Sequence, residues 1–105
     1  VKPLMANGIK IVDLSADYRL TQDIYEKYYC THTDVENLKN VVYGLPELYR
    51  EEIKKTSLVA NPGCFPTSAI LGLLPFMNVR VKNTPIIIDA KTGVSGAGKK
   101  LSDAT

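Results

Sequence analysis

Residues 60–75, ANPGCFPTSAILGLLP, place a cysteine where nucleophilic chemistry is possible. Cys64 follows Pro62-Gly63, at the point where a polar turn gives way to an apolar run. The run has helical spacing with a stop near Pro75, which predicts that Cys64 lies at a helix N-terminus. The reactive form of cysteine is the thiolate, and the partial positive charge of a helix N-terminus lowers the pKa of cysteine thiols. A small structural cysteine at a turn explains the same pattern equally well.

A second stretch that could bind a ligand is GVSGAGKK at 93–100, which follows the apolar run at 85–90. It matches most of the G-x-x-x-x-G-K phosphate loop, but Lys100 stands where a hydroxyl must ligate magnesium. The dinucleotide pattern G-x-G-x-x-G fails as well, because no third glycine follows at the required spacing. What remains is a turn rich in backbone donors, which suits a phosphate or a nicotinamide. A plain glycine turn is equally consistent.

The other polar residues that could be catalytic or bind a ligand have less support from the sequence. Cys30 follows aromatic residues in an irregular segment, and His32, the single histidine, is predicted to be a surface loop residue. Two cysteines lack the number for a disulfide framework and the spacing for a metal site, so we expect reduced thiols and no metal. Asn61 could support the turn or the substrate, and a structural Asx turn is the favoured prediction.

The elements that must position these residues alternate between strand and helix. Strands are predicted from β-branched and apolar runs at 9–14, 57–60 and 85–90. Helices are predicted at 22–29 with Thr21 as the cap, from Pro46 onward, and from Cys64 onward. The first strand would deliver Asp17 and Arg19 to a sheet edge. The tyrosines of the first helix are predicted to serve in packing within the fold: Tyr25, Tyr28 and Tyr29. This order favours an α/β fold with a substantially parallel sheet.

Length and composition limit the classes of function. The chain has 105 residues, enough for one compact domain and too few for two complete ones. With 45% hydrophobic residues, 23% charged residues and a net charge of +2, it is far from the basic excess of nucleic-acid-binding domains. No apolar run approaches the roughly 18–20 residues that span a bilayer, and the first residues lack a signal peptide. We therefore expect a cytoplasmic protein with neither a nucleic-acid nor a membrane partner.

Four blocks of the sequence resemble the N-acetyl-gamma-glutamyl-phosphate reductase family, a branch of the semialdehyde dehydrogenase superfamily. They are IVDLSADYRL at 11–20, VYGLPEL at 42–48, LVANPGCFPTSAILGLLP at 58–75 and IIDAKTGVSGAGKK at 87–100. The NPGCFPT block is the most specific, because the family's signature surrounds its catalytic cysteine with this pattern. The resemblance therefore favours a catalytic role for Cys64.

That resemblance implies the NADPH-dependent reduction of N-acetylglutamyl 5-phosphate to the 5-semialdehyde in arginine biosynthesis. Cys64 would attack the small-molecule acyl phosphate, release phosphate and hold the acyl group as a thioester for reduction by hydride. The implied cofactor contacts, to NADP, are Ser95, Gly96 and Gly98. The implied substrate contacts are Asn61 and Arg19.

The resemblance also implies two domains. Residues 1–60 would be the C-terminal part of a Rossmann-like NAD(P)-binding domain, and residues 61–105 the beginning of an α+β catalytic domain that makes the dimer contact. Family members are much longer, so we expect a central fragment of a homo-oligomeric enzyme, inactive alone, with the dinucleotide phosphate turn and the catalytic base outside it. The alternatives are an enzyme similar to aspartate-semialdehyde dehydrogenase and a phosphate-loop nucleotide-binding module.

Overall fold

The computed structural model of the chain describes residues 1–79 and 84–97. It divides into two units, residues 1–67 and residues 68–105. The first unit is built on a three-stranded sheet whose strands are β1 (Ile11–Asp13), β2 (Val42–Tyr43) and β3 (Leu58–Ala60). The order is β1-β3-β2 and both pairings are parallel, with Ile11 opposite Leu58 and Val42 opposite Val59. The predicted α/β class with a parallel sheet is confirmed, whereas the boundary between the two domains stays a prediction.

The helices are α1 (Lys2–Ala6), α2 (Gln22–Tyr28), α3 (Val35–Leu38), α4 (Pro46–Lys55) and α5 (Cys64–Leu73), with 3₁₀ turns at Leu74–Phe76 and Val94–Ala97. Helices α2, α3 and α4 lie in the connections between strands, because parallel neighbours require crossover connections. The predicted starts of α4 at Pro46 and of α5 at Cys64 are confirmed, and α5 ends before Pro75 as expected. Thr21 precedes α2, but its hydroxyl contacts the Asp23 carboxylate and makes no cap bond to the helix backbone. Over the residues described, no helix is both long and apolar enough to cross a membrane.

The central strand β3 anchors the core of the first unit. The side chains of Leu58 and Ala60 are fully buried, and Tyr18 packs against them. Partly buried apolar side chains complete this cluster: Val1, Met5, Ile11, Leu38 and Val41. Burying a leucine side chain contributes about 1.5–3 kcal/mol to the stability of the fold. The elements around β3 are therefore held in place by packing against its buried side chains.

The predicted strand at 85–90 is wrong. These residues have no regular structure, and Ile87 is 90% exposed. A strand is stable when its N–H and C=O groups pair with a neighbouring strand. Within 1–79 and 84–97 no strand pairs with this segment. The apolar run therefore has the composition of a strand, but that composition does not determine which strand it would pair with.

The prediction that His32 is a surface loop residue is also wrong, because its side chain is only 7% exposed. Its Nδ1 accepts the backbone N–H of Asp34 at 3.0 Å, which leaves the ring proton on Nε2. That nitrogen then donates to the carbonyl of Asp17 at 2.8 Å. Both ring nitrogens are thus bonded to backbone groups, and these two bonds replace the water that a loop histidine would otherwise contact.

Asp34 is the charged centre of this buried network. Its Oδ2 accepts the hydroxyl of Tyr18 at 2.8 Å and the amide of Asn37 at 2.7 Å, while its Oδ1 lies 3.6 Å from Lys2 Nζ. Burial opposes ionisation of this carboxyl, but the hydrogen bonds from Asn37 and Tyr18 outweigh it and lower the pKa of Asp34. Burial, helped by the bond to Asp34, raises the pKa of Tyr18. The network therefore holds an ionised carboxylate and a neutral phenol together in the interior.

The lowered pKa of Asp34 predicts how stability depends on pH. Because the folded-state pKa lies below the ordinary value of 3.8, the carboxylate stabilises the fold above that value, and this contribution is lost as pH falls through the folded-state pKa. In the full-length protein, Asp34→Asn should lower the free energy of unfolding by about 1–3 kcal/mol at pH 7. The difference from wild type should shrink below pH ~4. Denaturant unfolding of both proteins across pH 3 to 7 measures this difference in the free energy of unfolding. A difference that stays constant over this range would contradict the lowered pKa of Asp34.

Gly44 predicts a second stability effect, because a Cβ there would lie 2.9 Å from Val59 Cγ1 and 3.1 Å from the Ala60 carbonyl oxygen. Gly44→Ala should therefore destabilise by about 1–3 kcal/mol through overpacking against β3. The matched control is Gly72→Ala on α5, where the added Cβ meets nothing within 4 Å. Thermal unfolding measures the change in Tm of both variants relative to wild type, and equal changes would refute the steric argument.

Candidate functional site

Cys64 is the first residue of α5, and its thiol is exposed. β3 ends at Ala60, and Asn61, Pro62 and Gly63 form the turn between the strand and the helix. The Gly63 carbonyl accepts both the N–H of Thr67 at 3.0 Å and its hydroxyl at 2.8 Å, which closes the first turn of the helix. The predicted position of Cys64 at a helix N-terminus is confirmed. The thiol therefore lies where the dipole of α5 favours negative charge.

Asn61 continues the pairing of β3 with β1 beyond the end of the strand. Its N–H donates to the Asp13 carbonyl at 2.8 Å, and its side-chain amide donates to the Pro62 carbonyl at 3.1 Å. The structure thus gives this side chain a bond within the turn, from its nitrogen and not from the oxygen that an Asx turn uses. The substrate contact expected for Asn61 stays a prediction.

Arg19 joins the ends of two neighbouring strands. Its Nε donates to the Asn61 carbonyl at 2.7 Å, after β3, and its Nη2 donates to the Leu14 carbonyl at 2.7 Å, after β1. Its Nη1 would lie 3.4 Å from a Cβ built on Gly63, so the guanidinium reaches the residue before the cysteine. Hydrogen bonds from a guanidinium are charge-assisted and roughly twice as strong as neutral ones. Arg19 therefore fixes the turn that carries Cys64.

A pocket of about 170 Å³ opens beside this turn, and its lining is mainly apolar. The lining residues are Ala16, Arg19, Leu20, Tyr29, Tyr43 and Pro66. Pro66 belongs to the first turn of α5, and Arg19 supplies a cation. Among the described residues that line the pocket, none is acidic. A substrate that reaches Cys64 can therefore place a neutral or anionic group here.

Sequence reasoning missed the pocket, because it assigned the tyrosines of α2 to packing. That prediction is confirmed for Tyr25, which is buried, and for Tyr29, whose ring is exposed but stacks on that of Tyr25, and is wrong for Tyr28, which is exposed. Tyr29 lines the pocket together with Tyr43. The signal that could have found them is weak: a tyrosine at the end of a short amphipathic helix serves packing and binding equally well.

Cys30 differs from Cys64 in its surroundings. It lies in the irregular segment after α2, is exposed, and its Sγ is 3.8 Å from the Tyr25 hydroxyl. No helix begins at this cysteine. Within the part of the chain that the structure describes, no group of three or more His, Cys, Asp or Glu residues could hold a metal ion.

The glycine-rich segment belongs to the second unit. Ser95 and Gly96 lie in the 3₁₀ turn Val94–Ala97 and are exposed, whereas Gly98 lies outside the described residues. The Gly96 N–H donates to the Gly93 carbonyl at 2.9 Å, and a Cβ on Gly96 would come within 2.1 Å of Thr92 Oγ1. A side chain at that position would require the Thr92 side chain to move, while the space beside Gly93 is open. The exposed Ser95 and this open space fit the close approach of a ligand.

Comparison with known proteins agrees with these features. Residues 1–56 match the family described as semialdehyde dehydrogenase, NAD binding domain, and residues 64–105 match semialdehyde dehydrogenase, dimerisation domain. Among curated relatives, N-acetyl-gamma-glutamyl-phosphate reductase of Sulfurimonas denitrificans is 75% identical over 105 residues, which are 100% of this chain and 31% of the relative. The protein of the same name from Campylobacter curvus is 60% identical over 101 residues, 96% of this chain and 30% of the relative.

A more distant relative of that name, from Methanocaldococcus jannaschii, is 50% identical over 107 residues, 100% of this chain and 31% of the relative. The chain thus spans about a third of the length of the curated relatives that it matches. The two matched domains, the parallel α/β unit and the strong likeness to reductases lead to one conclusion. The chain belongs to the semialdehyde dehydrogenase family.

Proposed function

We propose that this chain carries the cysteine nucleophile of an NADPH-dependent reductase that converts N-acetylglutamyl 5-phosphate to N-acetylglutamate 5-semialdehyde in arginine biosynthesis. The observation that carries this proposal is the exposed thiol of Cys64 at the first turn of α5, on a turn fixed by Arg19. The names of the relatives support the substrate. The same names favour this reaction over that of aspartate-semialdehyde dehydrogenase, which shares the thioester chemistry.

The first chemical step belongs to Cys64. Its thiolate attacks the acyl carbon of the acyl phosphate, and the bond between that carbon and the phosphate oxygen breaks, so that phosphate leaves with the electron pair. The acyl group then remains on Sγ as a thioester. A negative oxygen develops on the acyl carbon during the attack, and the positive end of the α5 dipole stabilises it.

The nicotinamide cofactor would be held in part by Ser95, Gly96 and Gly98, and when bound it supplies the hydride that reduces the acyl group. The match to an NAD-binding domain supports a nicotinamide cofactor, and the choice of NADP is part of our proposal. The exposed Ser95 hydroxyl can act as a donor or acceptor toward the cofactor.

Arg19 has two tasks in this proposal. Its Nε and Nη2 hold the backbone carbonyls of Asn61 and Leu14, while the guanidinium's positive charge attracts the phosphate of the substrate toward the turn that carries Cys64. Asn61 supports the turn and contacts substrate from the same side. The positions of Arg19 and Asn61 in and beside this turn support both proposed contacts.

We propose that the general base of the reaction lies outside these 105 residues. His32 is the single histidine of the 105 residues, and both of its ring nitrogens bond backbone groups in a buried network. It is therefore not available as a general base. Without that base and the rest of the cofactor site, the 105-residue chain alone should not turn over substrate.

The wider setting of the enzyme is part of the same proposal. The match of residues 64–105 to a dimerisation domain supports a homo-oligomeric enzyme. Residues 1–60 would complete the nucleotide-binding domain and residues 61–105 would begin the catalytic domain. Its reaction belongs to the cytoplasm and requires neither nucleic acid nor a membrane.

Replacing the nucleophile tests the proposal directly. In the full-length protein, Cys64→Ser should lower reductase turnover by at least about 10³-fold, because an alkoxide is harder to form than a thiolate. NADPH binding, measured by fluorescence titration, should persist. Cys30→Ser is the matched control and should retain activity. In the wild type, iodoacetamide labelling followed by peptide mapping should modify Cys64 faster than Cys30. An active Cys64→Ser enzyme would overturn the mechanism.

The role of Arg19 in fixing the turn is testable without substrate. Lysine cannot bond both carbonyls in the fork geometry of a guanidinium, so Arg19→Lys should change the rate at which neutral iodoacetamide labels Cys64. It should also lower kcat, since a misplacement of about 1 Å can cost about 10²-fold. Arg50→Lys, on the exposed face of α4, is the control. A raised KM with unchanged kcat and labelling would mean that Arg19 only binds substrate.

A further inference from the structure

The pocket beside Cys64 has one wall whose position is set by a chain of contacts. Tyr29 follows the last turn of α2, and its ring stacks on that of Tyr25 with centroids 4.9 Å apart and an interplanar angle of 12°. Its N–H also donates to the Tyr25 carbonyl at 2.9 Å. The exposed wall residue is thus held by its buried neighbour one helical turn earlier.

Tyr25 is in turn fixed to the loop that carries Arg19. Its hydroxyl donates to Asp17 Oδ1 at 2.9 Å, and its ring makes a T-shaped contact with the His32 ring, with centroids 4.9 Å apart. The bond to the Asp17 carboxylate, followed by the contact with Cys30, raises the pKa of Tyr25, so it stays a neutral donor. His32 also bonds the Asp17 carbonyl. Asp17 thus connects Tyr25, on which Tyr29 stacks, to the loop that carries Arg19. Both Tyr29 and Arg19 line the pocket.

The chemistry of the lining discriminates between an acylated and a free amino group. The pocket combines a guanidinium with mainly apolar surface, and its described lining contains no carboxylate. A free ammonium entering it would lose water without gaining a counterion, which is unfavourable. Attraction to a tyrosine ring at an exposed site offsets only part of that cost. A planar, neutral amide carries no such penalty and can stack on an aromatic face.

We propose that Tyr29, held by Tyr25, is the residue that selects an acylated amino group of the substrate over a free ammonium, an inference that rests on the function proposed above. Tyr29 contacts the acylamino group through its ring. Tyr25 is a positioning residue, because it acts on the substrate through Tyr29. The preference arises both from the aromatic contact and from the exclusion of a second positive charge beside Arg19.

The test measures binding at the nucleophile and needs no turnover. In the full-length protein, N-acetylglutamate and glutamate are titrated as protectants of Cys64 against iodoacetamide, and labelling is followed by mass spectrometry of the Cys64 peptide. In the wild type, N-acetylglutamate should protect at a concentration at least about tenfold lower than glutamate. Tyr29→Ala should reduce that ratio to below about threefold, with the unprotected labelling rate unchanged.

Two variants complete the design. Tyr28→Ala removes the neighbouring exposed tyrosine, which contacts Lys27 and does not line the pocket, and should keep the wild-type ratio. Tyr25→Phe keeps the stacked ring and loses the hydroxyl's bond to Asp17 and its contact with Cys30 Sγ, so its ratio should fall between those of wild type and Tyr29→Ala. Thermal unfolding checks that each variant is folded.

The outcomes separate this inference from the proposed function. A wild-type ratio retained in Tyr29→Ala, or lost equally in Tyr28→Ala, overturns the selection by Tyr29 and leaves the reductase chemistry standing. If N-acetylglutamate does not protect wild-type Cys64 at all, the proposed function fails, and this inference fails with it.

Discussion

The parallel pairing of β1 with β3 is the interaction on which the rest of the first unit depends. It brings the carboxyl ends of the two strands to one edge, where Leu14 follows one strand and Asn61 the other. The Arg19 guanidinium then bonds both carbonyls at 2.7 Å. Ligand sites in open α/β sheets lie outside the carboxyl ends of the strands. The turn that carries Cys64 occupies that position because the strand pairing puts it there.

Three consecutive residues, at 17–19, link the loop after β1 to other parts of the first unit. Asp17 receives bonds from Tyr25 and His32, Tyr18 bonds the buried Asp34, and Arg19 bonds the turn after β3. Each of the three thus contacts a different part of the chain. A loop with so many polar partners has little conformational freedom, which suits a segment that holds a cation beside the turn of the proposed nucleophile.

Features decided by local chemistry could be predicted from the sequence, and those decided by distant partners could not. The starts of α4 and α5 follow from proline and turn signals within a few residues, so Pro46 and Cys64 were placed correctly. The burial of His32 depends on a carbonyl 15 residues away, and no local pattern reveals it. The run at 85–90 has the composition of a strand, yet pairing depends on a partner that composition does not specify. The sequence assigns Tyr29 to packing, and its place in the pocket lining is visible only in three dimensions.

The bond between Arg19 and Asn61 spans 42 residues of sequence, and this has a kinetic consequence. Contacts between distant residues require closure of a long loop, whose entropic cost is met before the contact forms. Parallel strands share this requirement and fold slowly compared with local structure. Isolated α5 could form early, but the guanidinium reaches the turn before Cys64 only once β1 and β3 have met. During synthesis and folding, the turn before Cys64 therefore acquires its cationic neighbour late, only after the parallel topology of the first unit is complete.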